Sequence, residues 1–258
     1  MSEKTMDQGD IQSQEQLSSD VYSMWIKCEK IAAEAKPGQF VNLYLRDGSG
    51  LLPRPISICE IDENGGRIRL VYRVVGKGTT EFAALQAGDQ IRLIGPLGNG
   101  FPMEKANDKV ALLIGGGVGV PPLLEVAKRL EQPSLIVLGY RDEVFLADEF
   151  RQYGQVYIAT EDGSQGVKGN VLDAIREENI PGDMLFACGP KPMLKALKKY
   201  IEEEELDGYF SLEERMACGI GACLACVCET AETDGHTNVD NARVCVEGPV
   251  FHVSEVVL

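Results

Sequence analysis

The sequence lacks any stretch that is long and apolar enough to cross a membrane. The longest uncharged run, residues 110–124, has 15 residues and is broken by three consecutive glycines and a Pro-Pro pair, whereas a spanning helix needs about 20 apolar residues. We also expect no secretory signal at the N-terminus, since Glu3, Asp7 and Asp10 occur there without an apolar run. We therefore expect a cytoplasmic protein with reduced cysteines.

Positive charge is scarce. The chain has 25 Lys and Arg against 40 Asp and Glu, a formal net charge of −15, which argues against nucleic acid as a partner because a phosphate backbone would be repelled. Residues 201–258 contain 13 acidic residues and only Arg215 and Arg243 as cations. This acidic segment is interpreted either as a solvated face or as a docking surface.

Cysteines, in contrast, are concentrated near the C-terminus. Cys218, Cys223 and Cys226 follow the pattern C-x4-C-x2-C, and Cys245 comes after 18 intervening residues. This spacing is close to the plant-type ligand pattern of a [2Fe–2S] cluster. Two glycines between the first two cysteines suit a loop that wraps closely around such a cluster.

Other interpretations of these cysteines stay open. A zinc site with four thiolates usually combines two separated C-x2-C pairs, disulfides need an oxidising compartment, and single buried thiols are ordinary core residues. Single buried thiols do not explain why five cysteines occur within 28 residues, and for zinc three of the four cysteines lie within nine residues rather than in two separated pairs. Cys228 lies only two positions beyond Cys226 and is left out of the predicted ligand set.

Short strand-like runs separated by turn residues predict an antiparallel β-barrel in the first part of the chain. Residues 1 to about 18 are polar without a period and are interpreted as a frayed or edge segment. One predicted turn covers residues 47–50. The predicted strands cover residues 21–27, 39–45, 54–60, 67–75 and 90–94.

From residue 109 onward strands and helices alternate, which predicts a parallel α/β sheet of the nucleotide-binding kind. The predicted strands cover residues 110–114, 135–140, 156–159 and 184–188, and the predicted helices residues 122–131, 171–178 and 192–204. The expected fold is multidomain, β plus α/β. Its predicted parts are a barrel domain in residues 1–104, an α/β domain in residues 105–208 and a small cysteine module in residues 209–258.

Two motifs in the barrel segment are candidates for cofactor binding. Arg54-Pro55-Ile56-Ser57 sets a bidentate donor beside a proline of fixed φ. Val71-Tyr72-Arg73 precedes the glycine-spaced turn Gly76-Lys77-Gly78-Thr79-Thr80, which exposes backbone N–H groups to an anion. An ordinary strand with a surface arginine is the alternative, so neither motif decides alone.

Two further motifs end predicted parallel strands. Gly115-Gly116-Gly117-Val118-Gly119-Val120-Pro121-Pro122 opens a helix, where backbone amides meet a pyrophosphate. It departs from G-x-G-x-x-G, and a tight strand-to-helix turn is the alternative. Cys188-Gly189-Pro190 ends the fourth parallel strand, at the edge where open α/β sheets bind ligands, and a buried thiol is its alternative.

The order of these motifs resembles the ferredoxin-NADP reductase superfamily over about residues 10–200. Pro37-Gly38-Gln39-Phe40 and Gly95-Pro96-Leu97-Gly98 are further landmarks of that resemblance. Once Arg215-Met-Ala-Cys218-Gly-Ile-Gly-Ala-Cys223 is included, nearly the whole chain resembles the electron-transfer subunits of NAD-dependent (class 1B) dihydroorotate dehydrogenases.

This resemblance implies an oxidoreductase subunit of pyrimidine biosynthesis with FAD, a [2Fe–2S] cluster and NAD as substrate. It implies that electrons pass from the FMN of a separate catalytic subunit through the cluster and FAD to NAD+, in a heterotetramer with two of each chain. The implied FAD residues are Arg54, Pro55, Ile56, Ser57, Val71, Tyr72, Arg73, Gly78 and Thr79. The expected NAD residues are Gly116, Gly117, Gly119, Cys188 and Gly189, and the implied cluster ligands are Cys218, Cys223, Cys226 and Cys245. No catalytic residue is assigned, and Ser57 and Cys188 are expected near the flavin and the nicotinamide.

Glu161 and Asp162 bring negative charge to the expected adenosine ribose, which favours NAD because a 2′-phosphate would be repelled. Arg141 is the opposing feature. Two rival functions stay open. One is the small subunit of an NADH-dependent ferredoxin:NADP oxidoreductase or sulfide dehydrogenase. The other, from a different class, is a non-catalytic nucleotide sensor whose cysteines bind structural zinc.

Overall fold

The first layer of the protein is a closed antiparallel barrel. A computed structural model describes residues 4–45, 52–233 and 239–258, so the predicted turn at residues 47–50 lies outside the described residues. The barrel order is β1-β2-β5-β4-β3-β6, which confirms the predicted architecture. Its strands are β1 (Thr5–Gln16), β2 (Val21–Lys27), β3 (Phe40–Tyr44), β4 (Arg54–Asp62), β5 (Arg67–Arg73) and β6 (Gln90–Leu97), with helices α1 (Glu29–Glu34) and α2 (Lys77–Ala83) in the connections.

Strand β1 corrects the interpretation of the N-terminus as a frayed or edge segment. It pairs with β2 on one side and with β6 on the other, so it closes the barrel. Its sequence shows no alternation because only Gly9 and Ile11 are buried in it. At Gly9, Ile26 of the neighbouring strand leaves no room for a Cβ, which explains a glycine in the middle of a strand.

The second layer is a seven-stranded sheet of order β10-β9-β8-β7-β11-β12-β15. All its pairs are parallel except the last, β12 with β15, and this confirms the predicted α/β unit. None of the helices in the described part of the chain has the length and apolarity to span a membrane. The remaining elements are β7 (Ala111–Gly116), α3 (Pro122–Arg129), β8 (Ser134–Tyr140), α4 (Ala147–Phe150), β9 (Gly154–Thr160), β10 (Val167–Lys168), α5 (Val171–Glu177), β11 (Met184–Cys188), α6 (Lys191–Glu203), β12 (Asp207–Ser211), β13 (Val227–Glu229), β14 (Asn241–Arg243) and β15 (Val250–His252).

Strands β12 and β15 extend the sheet beyond the four strands that the sequence predicts. β12 begins at the end of the acidic run, Asp207, and runs parallel to β11. The cysteine-rich segment, residues 212–249, follows β12, and after it β15 pairs with β12. Only three of the five residues of β12 are buried, so its sequence has no continuous apolar run. The cysteine-rich segment is therefore attached to the sheet at both ends.

A buried polar contact joins the barrel to the α/β layer. Glu125 of α3 is fully buried, and one of its carboxylate oxygens accepts a hydrogen bond of 2.9 Å from the backbone N–H of Ile61 in β4. Its other oxygen accepts one of 2.6 Å from Nε of Arg129. A buried carboxylate is tolerated only when it is paired in this way, so this contact fixes the orientation of the two layers.

A second contact joins the same two layers. Arg69 of β5 is buried and donates to Glu60 at 2.8 Å and to Glu149 of α4 at 3.1 Å. Its Nε donates to the Ser23 hydroxyl at 2.8 Å. Because the guanidinium has partners on both layers, it reinforces their fixed orientation and so defines the cleft between them.

Candidate functional site

A cleft of about 460 Å³ lies where the barrel, the α/β layer and the start of the cysteine-rich segment meet. Its volume is in the range of small-molecule sites. The barrel wall contains eight of the nine residues expected to bind FAD, namely Arg54, Pro55, Ile56, Ser57, Val71, Tyr72, Arg73 and Thr79. The remaining lining residues were not expected to be ligands: Phe40, Val75, Val118, Ser211, Leu212, Glu213, Glu214, Met216 and Pro249.

Gly78, the ninth expected residue, does not line the cleft but lies against Arg54. A Cβ at this position would lie 2.7 Å from Nε of Arg54, so a glycine is needed for the guanidinium to cross the start of α2. Nη1 of Arg54 also donates to the Leu52 carbonyl at 2.5 Å. The arginine is thereby directed along the cleft beside the first turn of α2.

Thr79 and Tyr72 are built into the same wall. The Thr79 hydroxyl accepts hydrogen bonds from the backbone N–H groups of Val75 and Gly76 at 2.9 and 3.2 Å, which orders the turn before α2. The Tyr72 ring stacks on Tyr22 with centroids 6.3 Å apart, and burial raises the pKa of its hydroxyl to about 12. Tyr72 is therefore a neutral, rigid ring in the wall.

The glycine-rich turn lies at the carboxyl edge of the sheet. β7 ends at Gly116, a short 3₁₀ turn covers Gly117–Gly119, and α3 follows. Gly117 has a φ of +55°, which favours glycine. A Cβ at Gly119 would overlap the Cys188 carbonyl. The two motifs predicted to bind nucleotide are thus in direct contact.

Cys188 lies at the end of β11 but its thiol does not line the cleft. The residue is 1% exposed, and burial raises the pKa of the thiol, which interacts with Ser211. The neighbouring Gly189 approaches Gly116 over the side chain of Met193. In this structure the cleft is reached by Val118 and Ser211 rather than by the Cys188 side chain.

The four cysteines expected to bind a cluster form two pairs. The Cys218 N–H donates to Sγ of Cys223 at 3.4 Å, and the thiols of Cys226 and Cys245 interact with each other, with Cys218 near enough to influence Cys245. In the part of the chain that the structure describes, no three His, Cys, Asp or Glu side chains surround a single metal ion. Two pairs suit two iron atoms with two thiolates each, whereas structural zinc needs all four around one point.

The backbone of the cysteine loop, residues 218–226, stabilises negative charge on sulfur. The N–H groups of Ile220 and Ala222 donate to Sγ of Cys218 at 3.5 and 3.3 Å. Burial acts to raise the pKa of Cys218, but these donors and the Cys223 thiol outweigh it and lower the pKa to about 6. Since thiolates are the metal-binding form, the donor set fits an iron–sulfur cluster.

Cys228 lies apart from the two pairs. It is in β13, where it pairs with Ala242 of β14, and burial raises the pKa of its thiol. The charged groups that influence it are Glu214 and Lys191 rather than the other cysteines. Its surroundings are those of a buried structural thiol.

Comparisons with known proteins agree with this geometry. A model of the oxidoreductase FAD-binding domain matches residues 8–101, and a model of the iron–sulfur cluster binding domain of dihydroorotate dehydrogenase B matches residues 213–257. A solved structure of an NADH-dependent reduced ferredoxin-NADP oxidoreductase has a TM-score of 0.84 and 30% identity, with 96% of this chain and 89% of that chain covered. The protein is thus an oxidoreductase electron-transfer subunit with a ferredoxin reductase-like fold, an FAD-binding barrel and a C-terminal iron–sulfur domain.

Its full-length relatives are more specific. A protein of Fusobacterium nucleatum is 46% identical over 252 residues, which cover 93% of this chain and 94% of the relative. A protein of Bacillus velezensis is 45% identical over 255 residues, which cover 96% and 97%. Both are dihydroorotate dehydrogenase B (NAD(+)), electron transfer subunit. The chain belongs to this family, as the resemblance in its motifs predicts.

Glu213 is a cleft residue that the sequence analysis missed. It follows β12, and its side chain borders the cleft. Glu213 is exposed to the cleft, and partial desolvation by the surrounding protein raises its pKa above the ordinary 4.5. A signal was present in the sequence, since Ser211-Leu-Glu-Glu214 comes directly before the cysteine-rich segment, but its neighbours in space come from distant segments.

We expect Glu213→Gln to stabilise the fold near neutral pH. A raised pKa in the folded state means that the unfolded chain releases its proton first, so the wild type loses stability as the pH rises from about 4.5 through the folded pKa. The variant does not lose stability in this way, because the glutamine side chain does not titrate. Thermal unfolding of both proteins from pH 4 to 8 should show equal midpoints at the acidic end and a higher midpoint for the variant at pH 8. A constant difference at all pH values would contradict this prediction.

Proposed function

We propose that the chain relays electrons between an FMN-containing catalytic subunit and NAD+, through a [2Fe–2S] cluster and FAD, in a cytoplasmic complex with two copies of each subunit. The names of its relatives support NAD+ and the dehydrogenase partner. In this proposal residues 1–104 bind FAD, residues 105–208 bind NAD and residues 209–258 bind the cluster. FAD supplies the conversion between hydride exchange and single-electron transfer, because a flavin performs both.

One observation carries this proposal. Residues 211–214 and Met216 line the cleft, and Cys218, the first expected cluster ligand, follows Met216 by only two positions. The same short segment therefore borders both candidate cofactor sites. A flavin in the cleft and a cluster at the cysteines are neighbours in this arrangement, as a relay requires.

The residues have separate roles in the proposed relay. Arg54 and the first turn of α2 with Thr79 bind the FAD pyrophosphate, since a guanidinium and free helix N–H groups both favour phosphate. Ser57 offers its hydroxyl to the flavin ring, and Tyr72 supports the cofactor. Gly116, Gly117, Gly119 and Gly189 allow NAD to approach the sheet edge, with Cys188 beneath it.

The cluster side of the proposed relay faces the partner subunit. Ile220 and Leu224, in the cysteine loop, are 45% and 62% exposed, and large exposed apolar side chains together are typical of interaction sites. The net negative charge of residues 201–258 restricts which partner can dock. These features support electron exchange with the partner at the cluster, while NAD binds at the edge of the α/β sheet in residues 105–208.

The proposed function is tested by co-expression with the catalytic subunit of a dihydroorotate dehydrogenase. We expect native mass spectrometry to report two copies of each chain with FAD, FMN and two iron atoms per cluster, and dihydroorotate to reduce NAD+ only when both chains are present. The rival is a subunit of a ferredoxin:NADP oxidoreductase, which the 30% identical solved structure favours. A complex that instead forms with a large subunit containing [4Fe–4S] clusters would establish that rival.

We also expect NADH to reduce the flavin faster than NADPH. Glu161 and Asp162 follow β9 at the ligand-binding edge, and the Asp162 carboxylate accepts hydrogen bonds from N–H and Oγ of Ser164 at 2.9 and 2.7 Å. Like charges repel, so negative charge at this edge disfavours the 2′-phosphate of NADPH and a preference for NADH is expected. Stopped-flow reduction measures it. Glu161→Gln should narrow the preference, whereas Arg141→Ala, a change at an 81% exposed cation, should not.

A further inference from the structure

Asn42 joins the barrel directly to the cysteine loop. It lies in β3 and its side chain is fully buried, although the amide is polar. Its Nδ2 donates a hydrogen bond of 3.0 Å to the backbone carbonyl of Cys218, 176 residues away in the sequence. The flavin-binding barrel and the first expected cluster ligand are thus connected by one side chain.

The loop is shaped to receive this amide. Gly219 has a φ of +67°, a conformation that favours glycine, and a Cβ there would overlap Nδ2 of Asn42. The peptide after Cys218 therefore rests on the Asn42 side chain. From this point the loop turns so that the N–H groups of Ile220 and Ala222 reach Sγ of Cys218.

Strand register connects the same residue to the cleft. Asn42 pairs with Pro55 of β4 and with Ile94 of β6, and Pro55 lines the cleft. A route from the Cys218 carbonyl to the cleft wall therefore needs one hydrogen bond and one strand pairing. Asn42 therefore lies between the cysteine loop and that wall.

Stability alone does not account for an amide at this position. Oδ1 of Asn42 is buried and has no hydrogen-bond partner among the described residues, and such an orphaned acceptor costs about 1–3 kcal/mol. A leucine of similar size would avoid this cost. The amide orientation itself is fixed, because turning it would bring Oδ1 against the Cys218 carbonyl.

We propose that Asn42 is a positioning residue for the iron–sulfur cluster, whose amide N–H holds the Cys218 carbonyl and thereby fixes the ligand loop against the barrel. The proposal rests on the proposed relay, with Cys218 as a cluster ligand. Its role is to set the direction of the N–H groups that reach the Cys218 sulfur and the separation between cluster and flavin. Hydrogen bonds to the sulfurs are among the factors that set the reduction potential of such clusters.

The test uses the full chain with FAD and cluster, as wild type and as Asn42→Leu. We expect the leucine variant to retain FAD and iron, with changed g values in the electron paramagnetic resonance spectrum of the reduced cluster and a shifted cluster midpoint potential. Reduction of the cluster by NADH should slow about tenfold, the effect of losing about 1.4 kcal/mol, while reduction of FAD keeps the wild-type rate.

Asn42→His is the rescue variant, because its Nδ1 is as many bonds from Cβ as Nδ2 of asparagine and also donates. It should restore the wild-type spectrum. Asn99→Leu is the matched control, since Asn99 also ties the barrel to the C-terminal segment, through the backbone of Glu247 and Val250 at 2.8 Å. It should lower the unfolding midpoint and leave the cluster spectrum and potential unchanged.

Several results would overturn the inference. The first is an Asn42→Leu variant that keeps the wild-type spectrum, potential and rate. The second is an Asn42→Leu variant that loses FAD together with iron. The third is an Asn42→His variant that does not restore the spectrum. Loss of iron alone in the leucine variant, restored by histidine, would support it. A wild-type chain that binds FAD but no iron would instead refute the proposed relay itself, so the two failures are distinguishable.

Discussion

Replacing Cys245 with serine should remove the cluster and stop electron transfer to the partner, while NADH still reduces FAD. Cys245 interacts with Cys226 in the second thiol pair, so without it the cluster would lack one of its four proposed ligands. Visible absorption and iron content of the anaerobically purified variant measure the loss. NADH oxidation with a small artificial acceptor that takes electrons from the flavin should keep its wild-type rate.

Cys228→Ser is the matched control for this substitution. Cys228 is the nearest alternative ligand in sequence, but it lies in β13 opposite Ala242 and apart from the thiol pairs. We expect the variant to retain iron and electron transfer, with at most a modest loss of stability from a buried hydroxyl. The opposite outcome, loss of iron in Cys228→Ser and retention in Cys245→Ser, would reassign the fourth ligand.

Replacing Glu125 with alanine should destabilise the whole protein by about 1–3 kcal/mol, the usual cost of leaving a buried donor without its acceptor. The carboxylate is fully buried and is the partner of both the Ile61 N–H and the Arg129 guanidinium. Its removal leaves a buried donor and weakens the junction between barrel and α/β layer. Urea unfolding followed by flavin release and by circular dichroism should report the loss.

Glu63→Ala provides the control for Glu125→Ala. Glu63 accepts from the same Arg129, at 2.6 Å, but its side chain is 53% exposed. Exposed ion pairs contribute about 0–1 kcal/mol, so this variant should unfold close to the wild type. Equal losses in the two variants would mean that the arginine, rather than the buried carboxylate, secures the junction.

The sequence predicts the architecture well where the pattern is local. β2 has the predicted bounds, residues 21–27, because its apolar alternation and the flanking turn residues act within a few positions. The interpretation of β1 as a frayed or edge segment was wrong because only two of its residues are buried, so its sequence has no apolar alternation. β12 was not predicted because only three of its five residues are buried, so its sequence has no continuous apolar run. Its pairing with β11 and β15 is visible only in the folded chain.

The candidate site divides in the same way. The motifs around Arg54, Tyr72 and Thr79 are candidates from local chemistry, the family resemblance implies that they bind FAD, and all three residues line one cleft. Val118 and Glu213 were missed because their nearness to the barrel depends on how the two layers pack. The burial of the Cys188 thiol is likewise a property of packing, since Ser211, which interacts with it, comes from the unpredicted strand β12.

The attachment of the cysteine-rich segment to the sheet at both ends has a mechanical consequence. β12 leads into that segment and β15 leads out of it as paired neighbours, and the N–H of Leu212 donates to the Pro249 carbonyl at 2.9 Å beside them. A segment that is anchored through two adjacent strands cannot move as a rigid body relative to the sheet. The position of its metal centre is therefore fixed relative to the sheet, and electron transfer requires the partner to dock at that position.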